Sequence, residues 1–189
     1  MGGGERLQNM RGIVMTSALI PETWDQSYRE WFASHQDALE ARDWKKAFDG
    51  YPWIAGSDLD RSLLKKPVSA ACIALISSGG VSRTDQVPFD AVDPLGDATF
   101  RAIEGSLGAW HVNHGHYDTA AAEEDFNTVF PIEALEELAR RGVIGAVAPI
   151  NYTFMGYQPD PRPFFETSAP KILQGLQAND VDGVLLVPG

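Results

Sequence analysis

Ala71 to Ser77 (ACIALIS) forms an apolar run that ends at Ser78-Gly79-Gly80. Successive side chains of a strand point to opposite faces, so a run without alternation needs cover on both sides. A parallel sheet with helices on both faces gives that cover, and the glycines end the strand. Val143 to Ile150 reads as a second strand and Gly183 to Val187 (GVLLV) as a third. Between them, Pro131 to Arg141 reads as a helix. Pro131 suits its first turn, Ile132, Leu135 and Leu138 share one face, and Gly142 caps it. Pro163 to Gln177 reads as another helix, ending at the Asn179-Asp180 turn. The order predicts an α/β fold: a parallel, flavodoxin-like sheet with right-handed crossovers and flanking helices. The third strand is expected in the core, and the chain stops at its tip. In open α/β sheets the strand tips hold the active site.

The first third of the chain has a different texture. Pro21-Glu22 opens a helix in which Trp24, Tyr28, Trp31 and Phe32 recur at spacings of three and four. Trp44, Phe48 and Trp53 continue the stripe, and four of the five tryptophans fall here. The plain expectation is that these rings pack the segment onto the main domain; a substrate cage is the alternative. Residues 1–12 read as a flexible lead, Asp49 to Pro52 as a turn, and Asp58 to Lys66 as a linker or short helix before Pro67. The division expected is residues 1–66 as a helical extension and 67–189 as the α/β domain.

Composition excludes several classes. With 15 basic and 26 acidic residues the net charge is −11, and basic residues cluster no further than pairs, so nucleic acid is a poor partner. No apolar run reaches the 18 residues of a membrane span. The start Met1-Gly2 resembles a myristoylation site, but position 6 is Arg. One cysteine, Cys72, rules out an internal disulfide or a multi-cysteine zinc site and suits a reducing cytoplasm. Its place early in an apolar strand predicts a buried, inert thiol.

Three segments can carry chemistry. His111, His114 and His116 lie within six residues, followed by Asp118. They can transfer protons or bind substrate, hold a single zinc ion, or form a structural turn. Ser78-Gly79-Gly80 can hold a carboxylate on backbone N–H groups or simply end a strand; it lacks the Lys of a phosphate loop. Asn151 to Gly156 places polar and aromatic groups where a ligand can reach them, or packs Met155 into the core.

In order along the chain stand Ser78-Gly79-Gly80-Val81, Asp93-Pro94 with Gly96-Asp97 and Thr99-Phe100-Arg101, and His114-Gly115-His116-Tyr117-Asp118. Then follow Asp125-Phe126-Asn127 with Val129-Phe130-Pro131-Ile132, Ala148-Pro149-Ile150-Asn151 with Phe154-Met155-Gly156, and Val181-Asp182-Gly183 through Pro188-Gly189. From about residue 65 onward this series resembles the selenoprotein B family of glycine, sarcosine, betaine and D-proline reductases, its D-proline reductase branch most of all.

The resemblance implies a selenocysteine or cysteine directly after the strand that ends in Pro188-Gly189. It implies cleavage of a C–N bond in a small amino-acid-like substrate, activated on a pyruvoyl group of a partner subunit, with thiols as electron donor. The chain stops at Gly189, as it would if a UGA codon were read as a stop, so selenocysteine or cysteine is expected in a longer product and no cofactor in this one. His114, His116 and Asp118 are the candidate catalytic groups. Ser78, Gly79, Gly80, Asn151, Met155, Gly156, Pro188 and Gly189 are the candidate substrate-binding groups, without metal. A homo-oligomer is expected. Two alternatives stand beside this reading: a non-catalytic binding module on the same scaffold, and a metal-dependent hydrolase using His111, His114, His116 and Asp118.

Overall fold

The computed structural model describes residues 23–54, 63–105 and 107–189. The expectations for residues 1–12, for Pro21-Glu22 and for most of the Asp58 to Lys66 linker lie outside the described residues. Strand β1 (Cys72–Ser77) is the centre of the main sheet. The described strands that follow are β2 (Val81–Arg83), β3 (Phe100–Glu104), β4 (Trp110–Val112), β5 (Ala146–Val147), β6 (Ile150–Phe154) and β7 (Gly183–Val187). The helices are α1 (Trp24–Glu40), α2 (Trp44–Ala47), α3 (Ala120–Glu124), α4 (Ile132–Arg140) and α5 (Ala169–Ala178), the last entered through a turn of π-helix at Phe164–Ser168.

On one side β1 pairs with β7, in parallel, from Ile73↔Gly183 to Ser77↔Val187. On its other side it pairs in parallel first with β5 and then with β6. These two are one strand interrupted at Ala148-Pro149, where proline brings no N–H to the ladder. Asn151 bridges the interruption with its side chain. Its Oδ1 accepts from the Leu75 N–H at 2.7 Å, and its Nδ2 donates to the Ala148 carbonyl at 3.1 Å.

The α/β class stands, but the sheet is mixed rather than parallel throughout. β3 runs antiparallel to β6, with Phe100 opposite Phe154 and Glu104 opposite Ile150. Its sequence, FRAIE, carries two charges in five residues, so it gives none of the apolar signal of a buried parallel strand. A separate antiparallel ribbon joins β2 to β4.

Helices cover both faces, as the apolar run of β1 requires. Ile103 of β3 packs in one cluster with Leu75, Phe130 and, from α4, Ile132 and Leu135. Neighbours along a strand face opposite ways, so Phe100 and, across from Ala102, Tyr152 look to the other face, where α5 lies. There Gly175 has no side chain because a Cβ would stand 2.0 Å from the Tyr152 hydroxyl.

β7 departs from its expected place in the core. Among the described residues it pairs only with β1, and Val184, Leu185 and Leu186 are 41%, 41% and 71% exposed. The apolar pattern reports what the strand needs covered; it does not report what covers it. Cys72 is likewise half-buried rather than enclosed, and burial with the nearby Asp182 carboxylate pushes its thiol pKa up.

The aromatic segment packs onto the domain. Trp24, Tyr28, Trp31 and Leu39 of α1 form a second core with Tyr51, Phe89, Met155 and Tyr157. Each large ring buried this way contributes about 1.5–3 kcal/mol. The indole N–H of Trp24 donates to the Pro52 carbonyl, that of Trp31 to the Ala47 carbonyl, and the Tyr51 hydroxyl to the Pro159 carbonyl. Trp53 is the exception at 72% exposed. No described helix is long and apolar enough to cross a membrane.

Candidate functional site

The tips of β1, β6 and β7 meet at Ser78-Gly79-Gly80. Ser78 donates its N–H to the Val187 carbonyl at 3.0 Å, and its carbonyl accepts from Gly156 at 2.8 Å. The Ser78 hydroxyl oxygen accepts from the Gly189 N–H at 3.0 Å. Gly80 donates to the Phe154 carbonyl at 3.0 Å. Gly79 donates to the Ser77 hydroxyl oxygen at 3.0 Å, and that hydroxyl donates to the Val129 carbonyl at 2.6 Å. The Gly79 and Gly80 N–H groups read as a carboxylate cradle, and that of Ser78 beside them, are therefore all engaged inside the protein. Their work is to lash three strand tips together.

Glycine is what lets the backbones come this close. A Cβ on Gly79 would lie 2.8 Å from the Val129 Cβ, and one on Gly189 would lie 2.5 Å from the Gly79 Cα. Gly80 adopts φ +68°, and a Cβ there would meet the Asn113 carbonyl oxygen at 2.3 Å. Gly156, Pro188 and Gly189 are exposed and form a rim around half-buried Ser78.

The histidine loop sits over this junction. Asn113 donates its N–H to the Gly80 carbonyl at 3.0 Å, and the Tyr117 hydroxyl donates to the Gly79 carbonyl at 2.7 Å. Between these anchors, the Cβ of His114 lies 3.5 Å from where a Gly80 Cβ would stand. Nδ1 of His114 accepts from the His116 N–H at 3.2 Å, which requires that nitrogen to be unprotonated. Burial pushes the His114 pKa down to about 4, so at neutral pH the ring is an uncharged donor through Nε2.

His116 looks the other way. Its ring stacks on Tyr157 with centroids 3.5 Å apart and touches Trp44 of α2 at 3.9 Å. Both of its ring nitrogens are buried without a hydrogen-bond partner. Burial first, then His114 and Arg42, push its pKa down to about 4.

The remaining sequence candidates separate from these. Asp118 is exposed and accepts from the Ala120 N–H at 3.1 Å, at the start of α3. His111 stands on β4, opposite Ser82 and exposed. Among the described residues no three His, Cys, Asp or Glu side chains are grouped to hold a metal ion. Met155 is fully buried in the aromatic cluster, and Asn151 serves β1 from inside the sheet. Sequence reasoning missed Tyr117, Asn113 and Ser77 as the groups that fix the loop and the turn. Tyr117 lay inside the histidine motif, and its hydroxyl, a polar tip on an apolar ring, was the available signal.

Comparison with known proteins identifies the family. Residues 51–188 match the family model for glycine/sarcosine/betaine reductase selenoprotein B (GRDB). The D-proline reductase subunit gamma of Acetoanaerobium sticklandii is 37% identical over 126 residues, 66% of this chain and 51% of that protein. The betaine reductase complex component B subunit beta of Peptoclostridium acidaminophilum is 29% identical over 132 residues, 64% of this chain and 28% of that protein. The glycine reductase complex component B subunit gamma of the same organism is 26% identical over 110 residues, 56% of this chain and 25% of that protein. The chain thus spans about half the length of the first relative and about a quarter of the other two. No solved structure matches it. With 51–188 matched, which takes in the three strand tips and the histidine loop, this chain belongs to the selenoprotein B family of glycine, sarcosine and betaine reductases.

Proposed function

We propose that the chain is part of a selenol- or thiol-dependent reductase that cleaves the C–N bond of a small amino-acid-like substrate. The observation that carries the reading is the convergence of the β1, β6 and β7 tips beneath His114. A selenocysteine or cysteine following Gly189 in a longer product would emerge beside Ser78 and Gly79, because Gly189 rests against the Gly79 backbone. His114, neutral and holding its proton on Nε2, would donate a hydrogen bond to substrate there, as a neutral donor rather than an acid. His116 packs against Trp44 and Tyr157, and Asp118 starts the next helix, so the reading gives the substrate contact to His114. A pyruvoyl-bearing partner subunit and a thiol electron donor complete the reading.

One observation favours a second reading, a non-catalytic binding module. The lone cysteine, Cys72, begins β1, at the opposite end from the tip, so it cannot replace a nucleophile at the junction. A single experiment separates the two. The product extended past Gly189 is mixed with its partner subunit and a dithiol, and reduction of substrate is followed. The enzyme reading expects dithiol-dependent turnover that falls about 10²–10³-fold in His114→Ala, the loss of one positioned hydrogen-bond donor, while the far-ultraviolet spectrum is unchanged. No turnover with any amino-acid substrate, or full turnover in His114→Ala, removes it.

A further inference from the structure

A cleft of about 190 Å³ lies between the α1–α2 corner and the Asp90–Pro94 loop, apart from the strand-tip junction. At about 30 Å³ per water, it has room for a ligand that displaces about six waters. Leu39, Trp44, Val92 and Pro94 form its apolar walls. Two polar groups in it are underused. Arg42 makes no ion pair among the described residues, and the one hydrogen bond of its side chain there, to the Ala91 carbonyl, is 3.5 Å long. His116 also lines the cleft, with both ring nitrogens buried and unpartnered. A buried polar atom without a partner is costly, and the few found in native proteins call for an explanation.

The backbone supports the same place. Arg42 adopts φ 54°, a left-handed conformation unusual for a side-chain-bearing residue. Its Nη1 lies beside Gly115, 3.7 Å from where a Cβ there would stand. The strained turn aims a guanidinium along the loop that carries His116.

We propose that this cleft binds a small monocarboxylate, its carboxylate held by the Arg42 guanidinium and the His116 ring N–H, its apolar body against Trp44 and Leu39. Guanidinium and carboxylate match as a fork, and the ring N–H gains the acceptor it lacks. Glu40 and Asp93 on the same lining make a multiply charged anion such as phosphate the poorer ligand. Leu39, Glu40, Arg42 and Trp44 all precede residue 51, where the family match begins. The site thus joins the N-terminal segment, which brings Arg42 and Trp44, to His116 and the Ala91–Pro94 loop inside the family match.

The test needs no turnover. Sodium butyrate is titrated into the purified chain at constant ionic strength, and the His116 ring nitrogens are followed by NMR. Saturable shifts with a millimolar Kd are expected, with Arg42→Met weakening binding about 10–100-fold and Arg42→Lys falling between. Circular dichroism checks that the variants keep the fold. The proposal is overturned if butyrate shows no saturation, if Arg42→Met binds as the parent does, or if chloride or phosphate gives the same shifts.

Discussion

Replacing Asn151 tests whether one side chain holds together the interrupted strand of the sheet. Its amide bonds two buried backbone groups at the break in the strand: the N–H of Leu75, a residue 0% exposed, and the carbonyl of Ala148, 4% exposed. An orphaned buried donor or acceptor costs about 1–3 kcal/mol, so removing the amide should cost about 2–6 kcal/mol. A domain of this kind has about 5–15 kcal/mol in total. Asn151→Leu keeps the volume and removes both hydrogen bonds; Asn151→Ala adds a small cavity. Urea unfolding at pH 7 should show both variants displaced, the Leu variant by about 1–3 M at an m-value near ~2 kcal/mol/M. An unchanged m-value would confirm that the native state lost stability. If Asn151→Leu unfolds within about 0.5 kcal/mol of the parent, the size of an ordinary surface substitution, the bridge is not doing this work. Substrate binding by Asn151 would then regain its place.

Two further outcomes follow from the same region. His114 and His116 have folded pKa values lowered to about 4 from an ordinary 6.5, so the unfolded chain binds more protons across that interval. Their contribution is complete above pH 6.5 and is lost as pH falls toward 4. At face value each shift is worth roughly 3 kcal/mol, and solvent at these partly exposed rings reduces it to about 1–2. Urea midpoints measured from pH 7 to pH 4 should therefore fall less steeply in His116→Phe, which keeps a ring stacked on Tyr157 beside Trp44; equal slopes would contradict the assignment. Gly80→Ala should cost more than about 2 kcal/mol, combining left-handed strain with a collision on the Asn113 carbonyl, and a thermal midpoint unchanged from the parent would refute the packing described.

The α/β class, both long helices of the second half and the central strand could be read from the chain because each rests on a local pattern. Ile132, Leu135 and Leu138 share a helical face whatever surrounds them, and ACIALIS is apolar in any setting. The failures are all cases where a distant partner decides. The stretch read as one strand from Val143 to Ile150 is a loop, two residues of β5, a break at Pro149 and then β6 running on to Phe154. Pro149 was visible, but the repair by Asn151 depends on Leu75 in another strand. β3 is an antiparallel edge strand whose charges suit an edge and hide it from a search for apolar runs. At the junction, the glycines were legible as a turn, yet their N–H partners are the Phe154 carbonyl on β6 and the Ser77 side chain, while Ser78 donates to β7.

The histidine loop joins the two halves of the molecule, and this gives the aromatic segment a part in the site. His116 is held by Trp44, which precedes the family match, and by Tyr157, which follows β6. Its backbone N–H, two residues on, fixes Nδ1 of His114 and so the tautomer that ring presents. Asn113 and Tyr117 fasten the ends of the loop to Gly80 and Gly79. A proton on Nδ1 of His114 would break the bond from His116, and a charge on His116 would sit between two rings with no acceptor at either nitrogen. Both histidines are thus kept neutral by packing rather than by an ion pair. The ordering runs from Trp44 through His116 to His114, so substitutions in α2 are able to alter the junction without touching it.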